Sequence, residues 1–342
     1  MSTVLDPSTP LDPGPAVGPS SSERARRTRV RRALVVLVLV LLVGCAAHLL
    51  WDLRGSWAYA LDLRSRQLGA LVVVGAAVGA SSLAFQTVAG SRILTPGVMG
   101  FDTLYVLIQT VTVFAFGAGA LQLFGVVESF VLDTALLTVF GVLLFRWLFR
   151  RHSRNLFVLV LVGIVLGSLF ASLSTLASRM LSPDDYLTLQ AVLFASFTTV
   201  DVRLLLVCAA TSAAGLAALV PLLRRLDVVD LGRDAAVALG VDYRRTVTRV
   251  LVVVTLLVAT STALVGPMLF LGLLVANLTR QFLPTHTHVV LVPAAAVTGA
   301  ATTVLGQVVV THVLDLATPL SVVVNLVGGV YFLVLLLRSV RL

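Results

Sequence analysis

RRLDVVDLGRDAAVALGVDYRR, residues 224–245, places nine charged side chains in twenty-two positions between two long apolar runs. In a chain otherwise dominated by apolar residues, such an island lies in water between two membrane-spanning segments. Asp230 is placed to cap the start of a helix and Gly240 to stop it. Between them Leu231, Ala235, Ala238 and Leu239 recur at the spacing of one apolar helix face. A short helix over about 230–240 would therefore offer a soluble partner a grip on the membrane part.

The rest of the chain supports this reading. Of 342 residues 58% are hydrophobic and only 12% charged, with a mean hydropathy of +1.03. Soluble domains carry about a quarter charged residues, so the composition excludes a soluble globular protein and predicts an all-α polytopic membrane protein. Ten apolar segments are long enough to span or nearly span: about 33–50, 67–88, 98–116, 130–149, 155–178, 202–222, 246–265, 267–283, 288–311 and 320–337. The seventh and eighth are parted only by Gly266-Pro267, a tight break in the chain. Residues 1–32, rich in Pro, Gly and Ser and carrying six arginines from Arg24 to Arg32, are expected to be a disordered cytosolic tail. Residues 33–342 then form one transmembrane domain.

All 25 basic residues are arginine. With ten alternating crossings that start inside, twenty of them fall on the inner side, and only Arg54, Arg64, Arg66, Arg179 and Arg203 on the outer. This asymmetry predicts that both termini are cytosolic, and it accounts for the net charge of +9 without nucleic-acid binding. Arg31-Arg32, the apolar run and Leu42-Val43-Gly44-Cys45 imitate a lipoprotein signal. Nine further apolar segments follow, which favours an uncleaved first helix. Residues 180–201 are too polar at their start to cross and are expected as a half-inserted helix near the outer mouth, with Asp184 and Asp185 as solvated or partner-facing charges.

No motif for chemistry is present: no phosphate-binding loop, no nucleophile elbow, no HExxH. Cys45 and Cys208 lie in apolar runs, and His286 and His288 read as solvated residues of a short inner loop rather than as a metal site. Asp102, Asp133, Asp201, Arg203, Arg249 and Asp315 all fall within a few residues of a predicted span end. An ion-coupled secondary transporter would keep an ionisable group at mid-depth, so that alternative is disfavoured. Gln86, Gln109, Asn277, Gln307 and Asn325 are the neutral candidates for lining a path, with an interhelical hydrogen bond as the other reading of each. The small-residue run Gly75-Ala76-Ala77-Val78-Gly79-Ala80-Ser81-Ser82 allows close helix approach.

Several stretches resemble one family. Ala84-Phe85-Gln86-Thr87 followed by Arg92-Ile93-Leu94-Thr95-Pro96-Gly97-Val98-Met99-Gly100-Phe101-Asp102 is similar to the motif after the second helix of FecCD-family permeases. These are the BtuC-like iron-chelate and vitamin B12 permeases of type II ABC importers. Leu231-Gly232-Arg233-Asp234-Ala235-Ala236 with Leu239-Gly240-Val241 resembles the family's coupling helix. Val265-Gly266-Pro267 with Phe270-Leu271-Gly272-Leu273, and Asn325 to Phe332 through Arg338, resemble its later blocks. Ala276-Asn277 stands where many members have Pro-His, and Ala317-Thr318-Pro319 where they have Glu-Leu-Pro. These variants resemble the branch serving anguibactin-, petrobactin- and enterobactin-type siderophores, and make B12 or haem the lesser alternative.

The resemblance implies a permease subunit that does no covalent chemistry and binds no cofactor or metal. ATP and Mg would sit on two cytosolic ATPase subunits. A second permease subunit, the same or different, and an extracytoplasmic siderophore-binding lipoprotein would complete a plasma-membrane importer. By the same resemblance Leu231, Gly232, Arg233, Asp234, Ala235, Ala238, Leu239 and Gly240 would couple to the ATPase. Arg64 would pair with a carboxylate of the binding protein, with Arg66, Asp184 and Asp185 as neighbouring docking candidates, and Gln86, Gln109, Asn277 and Asn325 would be path candidates.

Overall fold

Each of the ten apolar segments lies on a helix in the computed structural model, which describes residues 21–51, 57–117, 125–151, 156–193, 197, 200–314 and 318–339. In chain order the helices are α1 Ser21–Leu50, α2 Trp57–Val88, α3 Phe101–Phe116, α4 Val126–Arg151, α5 Leu156–Ser178, α6 Pro183–Leu193, α7 Val202–Leu219, α8 Leu223–Val229, α9 Arg233–Ala238, α10 Tyr243–Val265, α11 Leu271–Phe282, α12 His288–Val308 and α13 Leu320–Ser339. Among the described residues seven helical stretches are long and apolar enough to cross a membrane. The apolar stretches Phe101–Phe116 and Leu320–Val334 are shorter, and α11 has 12 residues. Two of the predicted segments lose their first residues to turns. Gly97–Met99 forms a separate 3-10 turn ahead of α3, and Gly266, at φ +75°, ends α10 five residues before α11 begins.

The tail expectation needs correction. Residues 1–20 lie outside the described residues, but residues 21–32 are the first turns of α1, and the guanidinium of Arg26 donates to the carbonyl of Pro284 at 3.0 Å. Arginine is a good helix former, and an established apolar helix extends through such residues at little cost because nucleation is already complete. α1 runs unbroken through Cys45.

The helices form two layers. α2, α10 and α12 are inside, with more than half of their apolar windows buried, while α1, α4, α5 and α7 have less than a quarter buried and expose Leu and Val along their flanks. α2 is apolar on nearly every side over its second half and is buried there, as expected of a helix without a polar face. It packs most extensively against α12, and also against α10, α11 and α7. The small-residue run makes this possible: a Cβ on Gly75 would lie 2.5 Å from the carbonyl oxygen of Gly299, one on Gly299 would strike that of Gly75, and one on Gly79 that of Ala295. Thr303 of α12 donates to the carbonyl of Leu71 in α2 at 2.8 Å, tying the same pair. α6 has 11 residues, too few to cross, and is entered through a reciprocal cap in which the Ser182 hydroxyl donates to Asp185 and accepts from its backbone N–H.

Candidate functional site: the helix pair between α7 and α10

The polar island folds as two short helices. Leu223, Leu226 and Val229 are buried at helical spacing and draw α8 into the core, so the helix entering the island continues to residue 229. Asp230 therefore closes α8, its backbone N–H bonding to the Leu226 carbonyl, and does not open the next helix as expected. That start belongs to Gly232, whose φ of +98° reverses the chain with no side-chain cap. α9 spans only Arg233–Ala238, and Gly240, at φ +78°, ends it as expected. The Gly240 N–H bonds to the Val237 carbonyl and the Val241 N–H to that of Ala236, a two-bond closure that satisfies the last carbonyls.

The exposed face differs from the predicted one. Ala236 is fully buried and Ala235 half-buried, so both lean inward. Leu231, Val237 and Leu239 are 65%, 59% and 63% exposed, with Ala238, Arg233 and Asp234 beside them. Val237 thus joins the apolar surface and Ala235 partly leaves it. With helices this short, the turns at either end decide which residues point outward, and a single helical wheel cannot show that. Burying these three large apolar groups against a partner would contribute several kcal/mol, about 1.5 or more for each one covered.

A second set of residues, unforeseen from sequence, connects this surface to the interior. His288, read as a loop residue, is fully buried at the first position of α12. Its backbone N–H donates to Asp227 Oδ1 of α8 at 2.6 Å, and its Nδ1, facing the same carboxylate oxygen at 2.7 Å, is the donor there. Its Nε2 lies 2.7 Å from Thr87 Oγ1 at the end of α2, which also accepts from Arg280 of α11 at 3.4 Å. α12 has no side-chain cap of its own at Thr287. Asp227 supplies that function from another helix, and its charge suits the positive end of the helix dipole. Three helices, α2, α8 and α12, meet at this one imidazole, with Arg280 of α11 reaching Thr87 beside it, and the element leading into α9 is clipped to the two most tightly packed helices. His286 is exposed, as expected.

The expected path residues are engaged within the chain. Gln86 and Asn277 both donate to the carbonyl of Arg92, at 2.9 and 3.3 Å, and pin the loop that follows α2. Gln109 donates to Asp133 at 2.6 Å, and Asn325 accepts from the Phe270 N–H at 3.4 Å. Gln86, Gln109 and Asn277 are buried; in this arrangement Gln109 makes an interhelical bond, while Gln86 and Asn277 hold a loop carbonyl. The sequence puts Asp133 at a span end. Because α4 begins at Val126 it lies about two turns inside the helix, where Gln109 satisfies it. At the opposite end of the bundle, Arg64 donates to the carbonyls of His48, Leu49 and Trp51 and so caps the end of α1. Arg66 pairs with Asp62 at 2.6 Å, and Asp184, exposed, and Asp185, half-buried, lie in the first turn of α6. Ala317 and Asp315 lie outside the described residues. Among the described residues no group of three or more His, Cys, Asp or Glu side chains is placed to hold a metal ion.

The model of the FecCD transport family matches residues 33–338. The chain belongs to the FecCD transport family. It is similar to the petrobactin import system permease protein YclO of Bacillus subtilis (strain 168), 38% identical over 322 residues, 92% of this chain and 98% of that one. The petrobactin import system permease protein FatC of Bacillus anthracis is 34% identical over 277 residues, 79% of this chain and 76% of that one. A solved metal-chelate type ABC transporter in an inward-facing conformation superposes with a TM-score of 0.76 at 23% identity, covering 90% of this chain and 99% of that one. That last likeness is one of fold. It makes this FecCD member an all-α multi-pass membrane protein of that architecture.

Proposed function

We propose that this chain is the permease subunit of an ATP-driven importer that carries a ferric siderophore across the plasma membrane by alternating access. It would cross ten times with both termini in the cytosol, pair with a second permease subunit and receive cargo from an extracytoplasmic binding lipoprotein. Two cytosolic ATPase subunits holding ATP and Mg would supply the energy. The observation that carries the reading is the exposed apolar knob of α9, joined through α8 and the Asp227–His288 clip to α2 and α12. A push on α9 has a rigid route to the inner helices, whose packing has little freedom to deform except as bodies. The petrobactin permeases among its relatives support the cargo class. Arg64, Arg66, Asp184 and Asp185 are assigned to the outer rim that meets the binding protein, and Asn325, half-buried, is the path candidate least enclosed by its own chain.

Replacing Ala238 with Glu tests the reading. The site is exposed, so the protein should stay in the membrane at normal level, while ferric-siderophore uptake and ATPase co-purification are both lost. Undiminished uptake by this variant would overturn it. Uptake that persists without any ATPase but collapses with an uncoupler would instead favour an ion-coupled secondary transporter.

A further inference from the structure

We infer that the junction of α7, α8 and α10 is a binding site for an anionic phospholipid. Two cavities of about 380 and 370 Å³ lie side by side there and share Arg225 and Arg249. The first is basic: Arg225, Arg245 and Arg249 face one carboxylate, that of Asp242, which pairs with Arg245 at 3.0 Å. Among the described residues the side chains of Arg225 and Arg249 have no hydrogen-bond or ion-pair partner. The second cavity is an apolar groove along Pro221, Leu222, Val252 and Val253, beginning just past Val220, which follows the end of α7 and is 63% exposed.

A cavity with two unpaired guanidinium groups at one end and an aliphatic channel at the other matches one chemistry, a phosphate attached to an acyl chain. Arginine forks bind phosphate oxygens in pairs, and basic pockets between helices at the membrane surface hold anionic headgroups. A soluble anion would leave the groove unused, and an apolar ligand would leave both cations uncompensated. The site lies where the apolar α7 gives way to the charged island, the depth at which a headgroup sits. Only the choice of leaflet, the cytoplasmic one, rests on the orientation proposed above.

The test is native mass spectrometry of the purified full-length chain titrated with phosphatidylglycerol, phosphatidylcholine or inorganic phosphate. Wild type should retain phosphatidylglycerol in preference to phosphatidylcholine. Arg225→Gln with Arg249→Gln should cut that preference by about 30-fold, as removal of two surface cations predicts, and Arg244→Gln, outside the cavity, should leave it unchanged. Equal binding of the two lipids, or a preference that survives in the double variant, would overturn the inference. So would displacement of phosphatidylglycerol by inorganic phosphate, which would mark a free-anion site, or its exclusion when the ATPase is added, which would mark a protein-docking surface. An intact melting temperature of the double variant shows that any loss is local. Labelling of Ala218→Cys by an impermeant maleimide, with Cys45→Ser and Cys208→Ser in the background and in sealed and opened vesicles, reads sidedness separately. Labelling from the outside would refute the orientation and leave the lipid site standing.

Discussion

Asp227→Ala separates a coupling role from a merely structural one. Its carboxylate Oδ1 accepts both the backbone N–H and the Nδ1–H of a fully buried His288. Removing it deprives two buried donors of their partner and takes a negative charge from the start of α12. Hydrogen bonds to a charged group contribute about 1.5 to 3 kcal/mol each, so the α8–α12 clip should weaken by about 3 kcal/mol or more. That multiplies the population of a detached α8 by at least about a hundred. Asp227→Asn keeps an acceptor oxygen in place and should cost about 1 kcal/mol. In the reconstituted complex, Asp227→Ala should keep ATP hydrolysis and bound ATPase but lose at least about tenfold in siderophore transported per ATP, with Asp227→Asn between it and wild type. Because α9 itself is untouched, loss of ATPase binding is not expected. Adding His288→Ala to Asp227→Ala should cost less than His288→Ala does alone, since the bond between the two is already gone and only the Thr87 contact and the packing of the ring remain to be lost. Wild-type transport stoichiometry in Asp227→Ala, or fully additive effects in the double variant, would refute the reasoning.

Three further outcomes are expected. Gly299→Val would drive side-chain carbons into the backbone of α2 at Gly75; the cost should exceed the roughly 1 to 3 kcal/mol of ordinary overpacking, seen as a lowered melting temperature of the purified protein and a large loss of uptake. Gly240→Ala has open space around the new methyl but must hold φ near +78°, so a loss of about 1 kcal/mol in thermal unfolding and a weaker grip on the ATPase by co-purification are expected. Arg64→Ala removes the donor that satisfies three carbonyls at the end of α1, and should speed hydrogen exchange at the end of α1 without affecting ATPase association.

The membrane class, the helical segments, the break at Gly266, the helix stop at Gly240 and the close-packing run at residues 75–82 were all legible in the chain. Each depends on properties summed along a local stretch: hydropathy, arginine placement, or the conformational freedom of one glycine. The family motifs were legible for the same reason, being contiguous. Other features were not. The start of α9 moved from Asp230 to Gly232 because buried Leu226 and Val229 pulled the preceding helix onward. Asp133 lay deeper than its segment suggested because α4 begins earlier. His288 changed from a solvated residue to the buried junction of three helices because Asp227 and Thr87, 61 and 201 positions away, satisfy it there. Burial of a polar group is decided by whether a partner arrives from a distant part of the chain, and no local pattern records such an arrival. Order along the chain thus determined what kind of molecule this is, and tertiary packing decided how a push on α9 can reach its core.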